Sequence, residues 1–416
     1  MKFLKLVGMQ LVAVATAHAL TLEEALVRAD RENPAFQVLA AEVEIAQGAK
    51  AMAGTRPNPE LTVGPGVVRA TEDGRTSYKL RGELGISQTF EFPGKRSLRL
   101  LLADGEVRLR AAALDGFRHM VRIQVRQAFI QALVAREIGA LRAEQLRTAE
   151  TFLKSAQNRV ASGHASAFEL VQAQADRIAA ARGVLQAKGE TRSARSKLAQ
   201  LMGSPLDTSF EVRGNLDSTL AGLEIHDPLS LALAKNPTLG ALAMRVDLCG
   251  KAVDAARLET RPDLTVNPAL EASRDEQALS LNFSLPLPIL DRGRSRVATA
   301  EAERRRAVAE LAKFKQELSA SVLASRERVA GVREQLALYT PEFLEELKDI
   351  LARTGTVYDQ NATSLLMFLE SRRSYYASLS DHYETIGRLA EAQSELATAI
   401  GFSETTVNEP NSTEKP

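Results

Sequence analysis

The residues best suited to chemistry in this sequence are its five histidines, because an imidazole can bind a metal or carry a proton near neutral pH. His382 stands beside Asp381 and two residues before Glu384, so ligand types of a metal site lie together on one predicted helix. The alternative, which we favour, is that His382 is an ordinary helix-surface residue. The seven methionines form no cluster that would relay copper, and Cys249 is interpreted as a small packed residue. The sequence therefore predicts no metal site.

Motifs of common catalytic centres are also missing. The sequence contains no H-E-x-x-H zinc motif, no G-x-S-x-G nucleophile turn and no Walker-type phosphate loop. We therefore predict that the protein is not an enzyme and that it needs no cofactor. Its function must then come from the arrangement of its structural elements.

Those elements are written twice. The stretch from Leu22 to Gly203 recurs from Pro228 to Gly401, with an offset of roughly 200 residues that suits a duplicated domain half. Each copy reads as a short helix, paired strands and a very long helical hairpin. The matching pieces are Asn33-Pro34 with Asn236-Pro237, Arg56-Pro57 with Arg261-Pro262, and Phe92-Pro93-Gly94-Lys95-Arg96 with Leu290-Asp291-Arg292-Gly293-Arg294.

The beginning of the chain has the pattern of a cleaved export signal. Lys2 and Lys5 precede an apolar run, and Ala17-His18-Ala19 follows as a small-residue cleavage site. The alternative is a buried N-terminal helix. No cysteine follows the site, so we expect no lipid anchor. The predicted organisation is a signal peptide at 1–19, a first repeat at 20–203, a linker at 204–227, a second repeat at 228–402 and a disordered tail at 403–416.

Two segments in each copy alternate between apolar and polar residues, which is typical of a strand with one apolar face. In the first copy they cover 60–70 and 78–90, joined through the hairpin signal Asp73-Gly74. In the second copy they cover 264–271 and 279–289. Each has about the 9–12 residues of a tilted membrane-spanning strand. A soluble hairpin packed on helices is the alternative, and the export signal favours the membrane.

The rest of each copy is compatible with helix. In each copy a long helix leads to a tight reversal and a return helix, and narrow apolar stripes such as Val121, Val125, Phe129 and Leu133 favour helix-on-helix packing. We expect a kink at Pro341, inside the second long helix. The low aromatic content of 5% fits long helices. The predicted fold class is mainly α with membrane β, in which antiparallel helical hairpins form an α-barrel.

Four strands per chain cannot close a barrel, because the smallest closed barrels have about eight strands. Open strand edges are not tolerated in lipid, which offers no hydrogen bonds. Several chains must therefore share one barrel, with their helical hairpins together beneath it.

At this point the chain resembles the TolC-like outer membrane efflux duct family over nearly its whole mature length. The resemblance lies in the doubled Asn-Pro, in Phe92–Arg96 with Pro288–Arg294, and in the two hairpin tips, and the segment Ile86–Arg96 is similar to the heavy-metal or cation efflux branch. It implies a homotrimer with a twelve-stranded barrel in outer membrane lipid and a periplasmic helical tunnel. It also implies docking to a membrane-fusion adaptor and an inner-membrane transporter. The net charge of +1 predicts no nucleic-acid partner.

The resemblance further implies a channel constriction. In the family, acidic residues just past the second tip ring the tunnel entrance, and the two positions fall here on Met367 and Glu370. Only Glu370 keeps a carboxylate. In the first copy, Glu169 occupies the position equivalent to Met367 and Gln172 the position equivalent to Glu370. Three chains would place three Glu370 side chains around one axis, and rings of carboxylates favour cations; ordinary solvated helix charge is the alternative.

The two reversals are the expected adaptor-contact tips. They consist of Gly163, His164, Ala165 and Ser166 in the first copy and of Asn361, Ala362, Thr363 and Ser364 in the second. The alternative is that these residues serve only the turns, since glycine and asparagine tolerate left-handed backbone.

The function predicted from these observations is an outer membrane channel that passively conducts substrates, metal cations among them, from an adaptor and pump to the exterior. A periplasmic coiled-coil adaptor or scaffold protein is the alternative. Adaptors usually present one hairpin, whereas this chain presents two.

Overall fold

The computed structural model describes residues 19–72, 75–205, 209–216, 227–273, 276–360 and 362–401. The predicted signal peptide lies outside these ranges apart from Ala19, and the predicted tail at 403–416 lies outside them entirely. The Asp73-Gly74 turn and Asn361 at the second tip also lie outside the described residues.

Helices account for most of the described chain, and strands occur in pairs in both copies, as the sequence predicted. The helices are α1 (Leu22–Glu32), α2 (Pro34–Ala53), α3 (Lys95–Ala161), α4 (Ala167–Leu201), α5 (Pro228–Lys235), α6 (Pro237–Leu258), α7 (Arg294–Ala337), α8 (Pro341–Asp359) and α9 (Leu365–Ile400). The strands are β1 (Ala19–Leu20), β2 (Glu60–Glu72), β3 (Arg75–Phe90), β4 (Glu211–Val212), β5 (Leu264–Ser273) and β6 (Gln277–Ser284).

The chain divides into two compact units. The first contains the residues up to Phe36, Phe117–Asn236 and the residues from Leu318 onwards. The second contains Gln37–Gly116 and Pro237–Glu317. The first unit therefore holds α4, α8, α9 and the later parts of α3 and α7, whereas the second holds the earlier parts of α3 and α7 and the sheet of β2, β3, β5 and β6.

The core of the first unit is a stripe along α3. Val121, Val125, Phe129 and Leu133 follow one another at four-residue steps and are all buried, as predicted. Apolar residues of α1, of α4 and its C-cap, and of α9 pack around them: Leu26, Leu198, Met202, Ile386 and Ala390. Burial of one such side chain contributes roughly 1.5–3 kcal/mol, so this cluster holds both hairpins to the short first helix.

The duplicated asparagines perform the same task in both copies. Asn33 follows α1, and its side-chain amide donates a hydrogen bond to the Leu201 carbonyl at 3.0 Å. Asn236 follows α5, and its amide donates to the Ala399 carbonyl at 2.9 Å. Each amide thereby satisfies a carbonyl in the last turn of a return helix, where no intrahelical donor is available. This local contact is thus repeated in the two copies.

The second unit contains an antiparallel four-stranded sheet in the order β2-β3-β5-β6. Its register places apolar residues opposite one another across all four strands, as in the row Val63, Leu84, Leu270 and Leu279. These side chains are exposed in the chain. The period-two prediction is confirmed: one face of the sheet is apolar and uncovered. The outer edges of β2 and β6 have no strand partner among the described residues.

The last predicted strand is shorter than the sequence pattern indicated. Its alternation continues to Ile289, but β6 ends at Ser284. Pro286 and Pro288 lack the backbone N–H that a ladder needs, so the alternating pattern continues without strand pairing. The apolar side chains after β6 remain exposed, and Leu290 is almost fully so.

A buried lysine joins the two copies within the second unit. Lys95, the first residue of α3, lies with its Nζ 2.9 Å from an Asp263 carboxylate oxygen and 3.5 Å from a Glu259 oxygen. The same Asp263 carboxylate accepts a hydrogen bond from the Phe92 amide at 2.7 Å. The Phe-Pro-Gly-Lys-Arg element therefore binds the segment that enters β5.

The second long helix is interrupted rather than kinked. α7 ends at Ala337, and α8 begins at Pro341 with Thr340 as its N-cap. Pro341 cannot donate an intrahelical hydrogen bond, so the helix restarts at this residue instead of bending through it. The corresponding α3 in the first copy continues without a break for 67 residues. Within the described ranges, no helix is long and apolar enough to cross a membrane.

Candidate functional site at the two hairpin tips

Both hairpins of the first unit end in short reversals. The first links α3 to α4, where Gly163 adopts a left-handed φ of 77° and the Ser166 hydroxyl accepts a hydrogen bond from the Glu169 amide at 3.4 Å. The second links α8 to α9, where the Ser364 hydroxyl accepts from the Met367 amide at 3.3 Å. The described tip residues are largely exposed, with Ala165 and Thr363 half-buried. The predicted adaptor-contact tips are therefore accessible in the chain.

An aromatic cluster lies behind the tips. Phe152 of α3, Tyr358 of α8 and Phe368 of α9 have ring centroids 5.2 to 5.6 Å apart, and Tyr358 stacks on Phe368. Tilted and stacked aromatic pairs add about 0.5–1.5 kcal/mol beyond burial. The cluster joins the end of the first hairpin to the end of the second.

Glu169 takes part in a hydrogen-bond network between the two hairpins. Tyr358 is 2% exposed and its hydroxyl donates to the Glu169 carboxylate at 3.1 Å. Arg159 donates to the Tyr358 carbonyl at 2.7 Å, and its guanidinium lies 4.3 Å from the Tyr358 ring centroid and 4.0 Å from Glu169. This predicted site residue therefore has partners from α3 and α8.

The environment of Tyr358 keeps its phenol protonated. Burial, followed by the hydrogen bond to Glu169, raises the pKa of Tyr358 to about 12. A neutral phenol can donate to a carboxylate, so the link between α8 and α4 persists throughout the physiological pH range.

Glu370 occupies a different environment. Its side chain is exposed on α9 and forms an ion pair with Arg373 one turn further on, at 3.2 Å. Among the described residues, no hydrogen bond or ion pair joins Glu370 to Glu169. Glu169 is thus bonded to the other hairpin, whereas Glu370 is exposed and pairs along its own helix.

A charged cleft follows the aromatic cluster between α4 and α9. It has a volume of about 540 Å³ and is lined by charged and polar residues, including Arg142, Gln172, Asp176, Arg372, Ser380 and Glu384. Arg372 is 3% exposed and pairs with Asp176. Arg142 donates to the Ser380 hydroxyl at 3.2 Å. Gln172, the first-copy equivalent of Glu370, therefore lies at this cleft.

Sequence reasoning named Glu169 and Glu370 as candidates but did not name Arg159, Tyr358, Asp176 and Arg372, which lie beside them in the structure. The missed residues act between hairpins, and Tyr358 is 189 positions from Glu169. A local signal did exist, because Tyr358 and Arg159 come just before the two equivalent reversals. Buried arginines within an apolar stripe are uncommon and indicate a paired charge.

The candidate metal residues do not converge. Within the described part of the chain, no group of three or more histidine, cysteine, aspartate or glutamate side chains has the geometry to hold a metal ion. The His382 ring lies beside Tyr339 and Tyr383, with centroids 5.9 and 5.7 Å away.

Comparison with known proteins gives a consistent result. The model of the outer membrane efflux protein family matches residues 25–204 and again residues 229–402. The chain is 26% identical over 389 residues to the cobalt-zinc-cadmium resistance protein CzcC of Cupriavidus metallidurans, covering 92% of this chain and 91% of that protein. It is 26% identical over 394 residues to the pyoverdine export outer membrane protein OpmQ of Pseudomonas aeruginosa, covering 86% of this chain and 80% of that protein.

The fold is also that of solved structures. A crystal structure of CusC, described in connection with folding and transmembrane channel formation, superposes with a TM-score of 0.76 over 92% of both chains at 15% identity. At this identity the likeness concerns the fold alone.

Proposed function

Because the chain belongs to the outer membrane efflux protein family, we propose that it is the outer membrane duct of a tripartite efflux system and that its hairpin tips form the gate. The family is one of channel proteins, and this protein is an outer membrane efflux channel.

The sheet of the second unit carries the proposal. Its apolar face is uncovered, and β2 and β6 have free outer edges in the described chain. In lipid, each unpaired backbone group costs several kcal/mol, so the edges must be closed by other copies. Three copies would supply twelve strands, with β6 of one chain beside β2 of the next. Each chain would then contribute two repeats, 20–203 and 228–402, to one trimer.

The hairpins would form the periplasmic tunnel, with the tips at its entrance. Gly163–Ser166 and the residues from 361 to 364 would meet the helical hairpins of an adaptor protein, which in turn connects to an inner-membrane transporter. Transport through the duct would be passive, with no enzymatic step in this chain.

The gate would use the two carboxylates differently. Glu169, Tyr358 and Arg159 hold one hairpin against the other in each chain, so opening the entrance must weaken these contacts. Glu370 is exposed, and three copies would set a ring of carboxylates that attracts cations.

Metal cations are the proposed cargo, since one relative is named for cobalt, zinc and cadmium resistance. The other relative is named for pyoverdine export, so an organic siderophore is the competing class of cargo. Deletion of the gene should lower tolerance to these three metals while leaving siderophore export intact. The reverse result would assign the chain to organic cargo.

Cell fractionation and planar-bilayer recording test whether the protein is a channel. The full chain should fractionate with the outer membrane, require detergent, migrate as an oligomer that heat dissociates, and conduct ions in planar bilayers. A chain recovered as a monomer from periplasmic extract would contradict the proposal and support the adaptor alternative.

A further inference from the structure

Exposed apolar side chains continue past the end of β6. The apolar row of the strand ends at Phe283, which is 64% exposed. After the strand, Leu287, Ile289 and Leu290 are 68%, 66% and 99% exposed. The step of two residues is kept from Phe283 to Ile289, so the apolar pattern outlasts the hydrogen-bonded ladder. An exposed apolar stretch of this kind marks an interaction surface.

The backbone of this segment, residues 285–290, has few donors to satisfy. Pro286 and Pro288 have no N–H, and the Ile289 N–H donates to the Leu287 carbonyl at 2.8 Å. A backbone N–H without an acceptor is costly in hydrocarbon. A segment with so few free donors is therefore suited to the boundary of a lipid layer.

Arginines gather at the same end of the sheet. β2 and β5 begin at this end, β3 and β6 finish there, and α3 and α7 follow, so it is the helix end of the sheet. Five exposed arginines flank these strand ends and are called the arginine belt: Arg56, Arg96, Arg261, Arg292 and Arg294. None of the five forms an ion pair within the described chain.

The carboxylates near the arginine belt are mostly held by other cations. The pairs are Glu91 with Arg99, Glu259 and Asp263 with Lys95, and Asp291 with Arg296. Glu60 is the exception and has no ion pair in the described chain. By sequence, the turns at the other end of the sheet, 72–75 and 274–276, contain four acidic and two basic residues. The positive surplus is therefore confined to the helix end.

The apolar segment and the arginine belt meet at a cleft. Its volume is about 730 Å³, and it is lined by residues 259–263 and 286–291. Its lining includes the exposed Leu287, Ile289 and Leu290 together with Arg261. A concave surface that offers apolar side chains and a guanidinium without an ion pair suits a molecule that is both apolar and anionic.

We propose that the helix end of the sheet binds anionic phospholipid of the periplasmic leaflet. Residues 285–290 contact the acyl chains, and Arg261, Arg292 and Arg294 bind the headgroup phosphates. A guanidinium matches a phosphate with paired hydrogen bonds. The inference rests on the proposed function, in which the sheet lies in the outer membrane and the helices extend into the periplasm.

Lipid fits this surface better than a second copy of the chain does. Pro286 and Pro288 cannot donate to a ladder, so residues 285–290 are a poor edge for a neighbouring strand. The segment instead continues the exposed apolar row of the sheet as far as the arginine belt. Basic residues beside an apolar membrane surface attract an anionic leaflet, and each one strengthens binding about fivefold.

Lipid titration tests the arginines. The full-chain oligomer, purified in detergent and delipidated, should bind phosphatidylglycerol more tightly than phosphatidylethanolamine in native mass spectrometry. Arg292→Gln combined with Arg294→Gln should weaken phosphatidylglycerol binding about 25-fold, which is about fivefold for each arginine. The matched control is Arg304→Gln combined with Arg305→Gln. It removes two exposed arginines about 15 Å further along α7 and should leave the lipid preference unchanged.

Inorganic phosphate distinguishes a lipid site from a simple anion site. The ion offers the same charged group without acyl chains, so at equal concentration it should not displace phosphatidylglycerol. Equal displacement would overturn the inference, because the apolar segment would then contribute nothing to binding.

Fluorescence quenching locates the apolar segment. In the full chain with Cys249→Ser, a fluorophore attached at Leu290→Cys should be quenched by spin labels on the acyl chains of mixed phosphatidylethanolamine and phosphatidylglycerol vesicles. It should be protected from aqueous iodide. The control position is Ser284→Cys, on the polar face at the end of β6, where iodide should be the better quencher.

The outcomes separate this inference from the proposed function. A conducting oligomer that binds both lipids equally, or keeps its phosphatidylglycerol affinity without Arg292 and Arg294, overturns the inference and leaves the channel intact. A label at position 290 that neither quencher reaches also overturns it, since a second copy would then cover the segment. A chain that neither oligomerises nor inserts into vesicles removes the proposed function itself.

Discussion

The Tyr358 hydroxyl donates a 3.1 Å hydrogen bond to the Glu169 carboxylate and so joins the last turn of α8 to the first turn of α4. Of all the contacts near the tips, this one connects a predicted gate residue with the opposite hairpin. Arg159 fixes its geometry by holding the Tyr358 carbonyl and covering the ring.

Tyr358→Phe removes this hydrogen bond and keeps the aromatic packing. Loss of a hydrogen bond worth about 1 kcal/mol in the closed state should raise the ratio of open to closed channels about fivefold for each subunit whose bond must break on opening. Single-channel recording measures the ratio. The matched control is Tyr375→Phe, because the hydroxyl of Tyr375 has no hydrogen-bond partner in the described chain. Equal open probability in both variants would remove Tyr358 from the gate.

The pH dependence of the link follows from the raised pKa of Tyr358, which is about 12. Its unfolded value is near 10. Stabilisation by the neutral phenol is therefore fully present below pH 10 and is lost as pH rises through 12. In folded protein, the wild-type minus Tyr358→Phe absorbance difference for tyrosinate should stay flat to about pH 11. A transition near pH 10 would show that Tyr358 is solvated.

Glu370→Gln removes one carboxylate per chain from the proposed ring. The preference of the channel for K⁺ over Cl⁻ should fall towards unity and the resting conductance should rise, because a ring of carboxylates favours cations and narrows the pore. Reversal potentials in a salt gradient measure the preference. Glu391→Gln is the control, an exposed carboxylate three heptads further along α9. Unchanged selectivity and conductance would exclude Glu370 from the constriction.

The paired asparagines should have similar energetic roles. Asn33→Ala and Asn236→Ala each leave a carbonyl at the end of a return helix without its donor, so each should cost about 1–2 kcal/mol of unfolding free energy. Denaturant titration of the full chain measures the cost. Asn158→Ala, at an exposed position of α3, should change stability by less than about 0.5 kcal/mol. A large cost at only one of the two sites would show that the repeats are energetically unequal.

Lys95→Met should destabilise the second unit. The change removes a buried cation and leaves Asp263 and Glu259 without it, at an expected cost of about 1–3 kcal/mol. The comparison is Lys50→Met, which breaks the more exposed pair with Asp104 and should cost below about 1 kcal/mol. The rate at which protease cleaves the sheet of β2, β3, β5 and β6 in the native oligomer measures the loss of stability. Equal protease resistance in the two variants would mean that the buried Lys95 pair stabilises the second unit no more than the exposed Lys50 pair does.

Much of the architecture was predictable because it depends on the local spacing of apolar residues along the chain. Val121, Val125, Phe129 and Leu133 repeat at the helix period and are buried on one face of α3. Leu84 and Leu270 follow the strand period and meet across β3 and β5. Pro286 and Pro288 preserve the alternation of apolar residues but cannot join the ladder, so the end of β6 was predicted incorrectly.

The contacts of the candidate site could not be predicted in the same way. Arg372 is separated from Asp176 by 196 positions, and nothing in the neighbourhood of either residue identifies the other. Periodicity tells which face of a helix is apolar, but the partner of a buried charge depends on how the hairpins pack. In the same way, the seven-residue spacing of Val171, Ile178 and Leu185 can be read from the sequence, but only the structure shows that these side chains are exposed.

The interruption between α7 and α8 makes the two halves of each chain mechanically unequal. α3 is one uninterrupted strut, while its counterpart has a joint at Leu338–Thr340. Any ring built from these chains therefore contains one articulated arm per subunit beside one stiff arm. If the hairpins surround an entrance as proposed, the number of jointed hairpins there would equal the number of subunits, although the duplicated sequence would suggest twice that number.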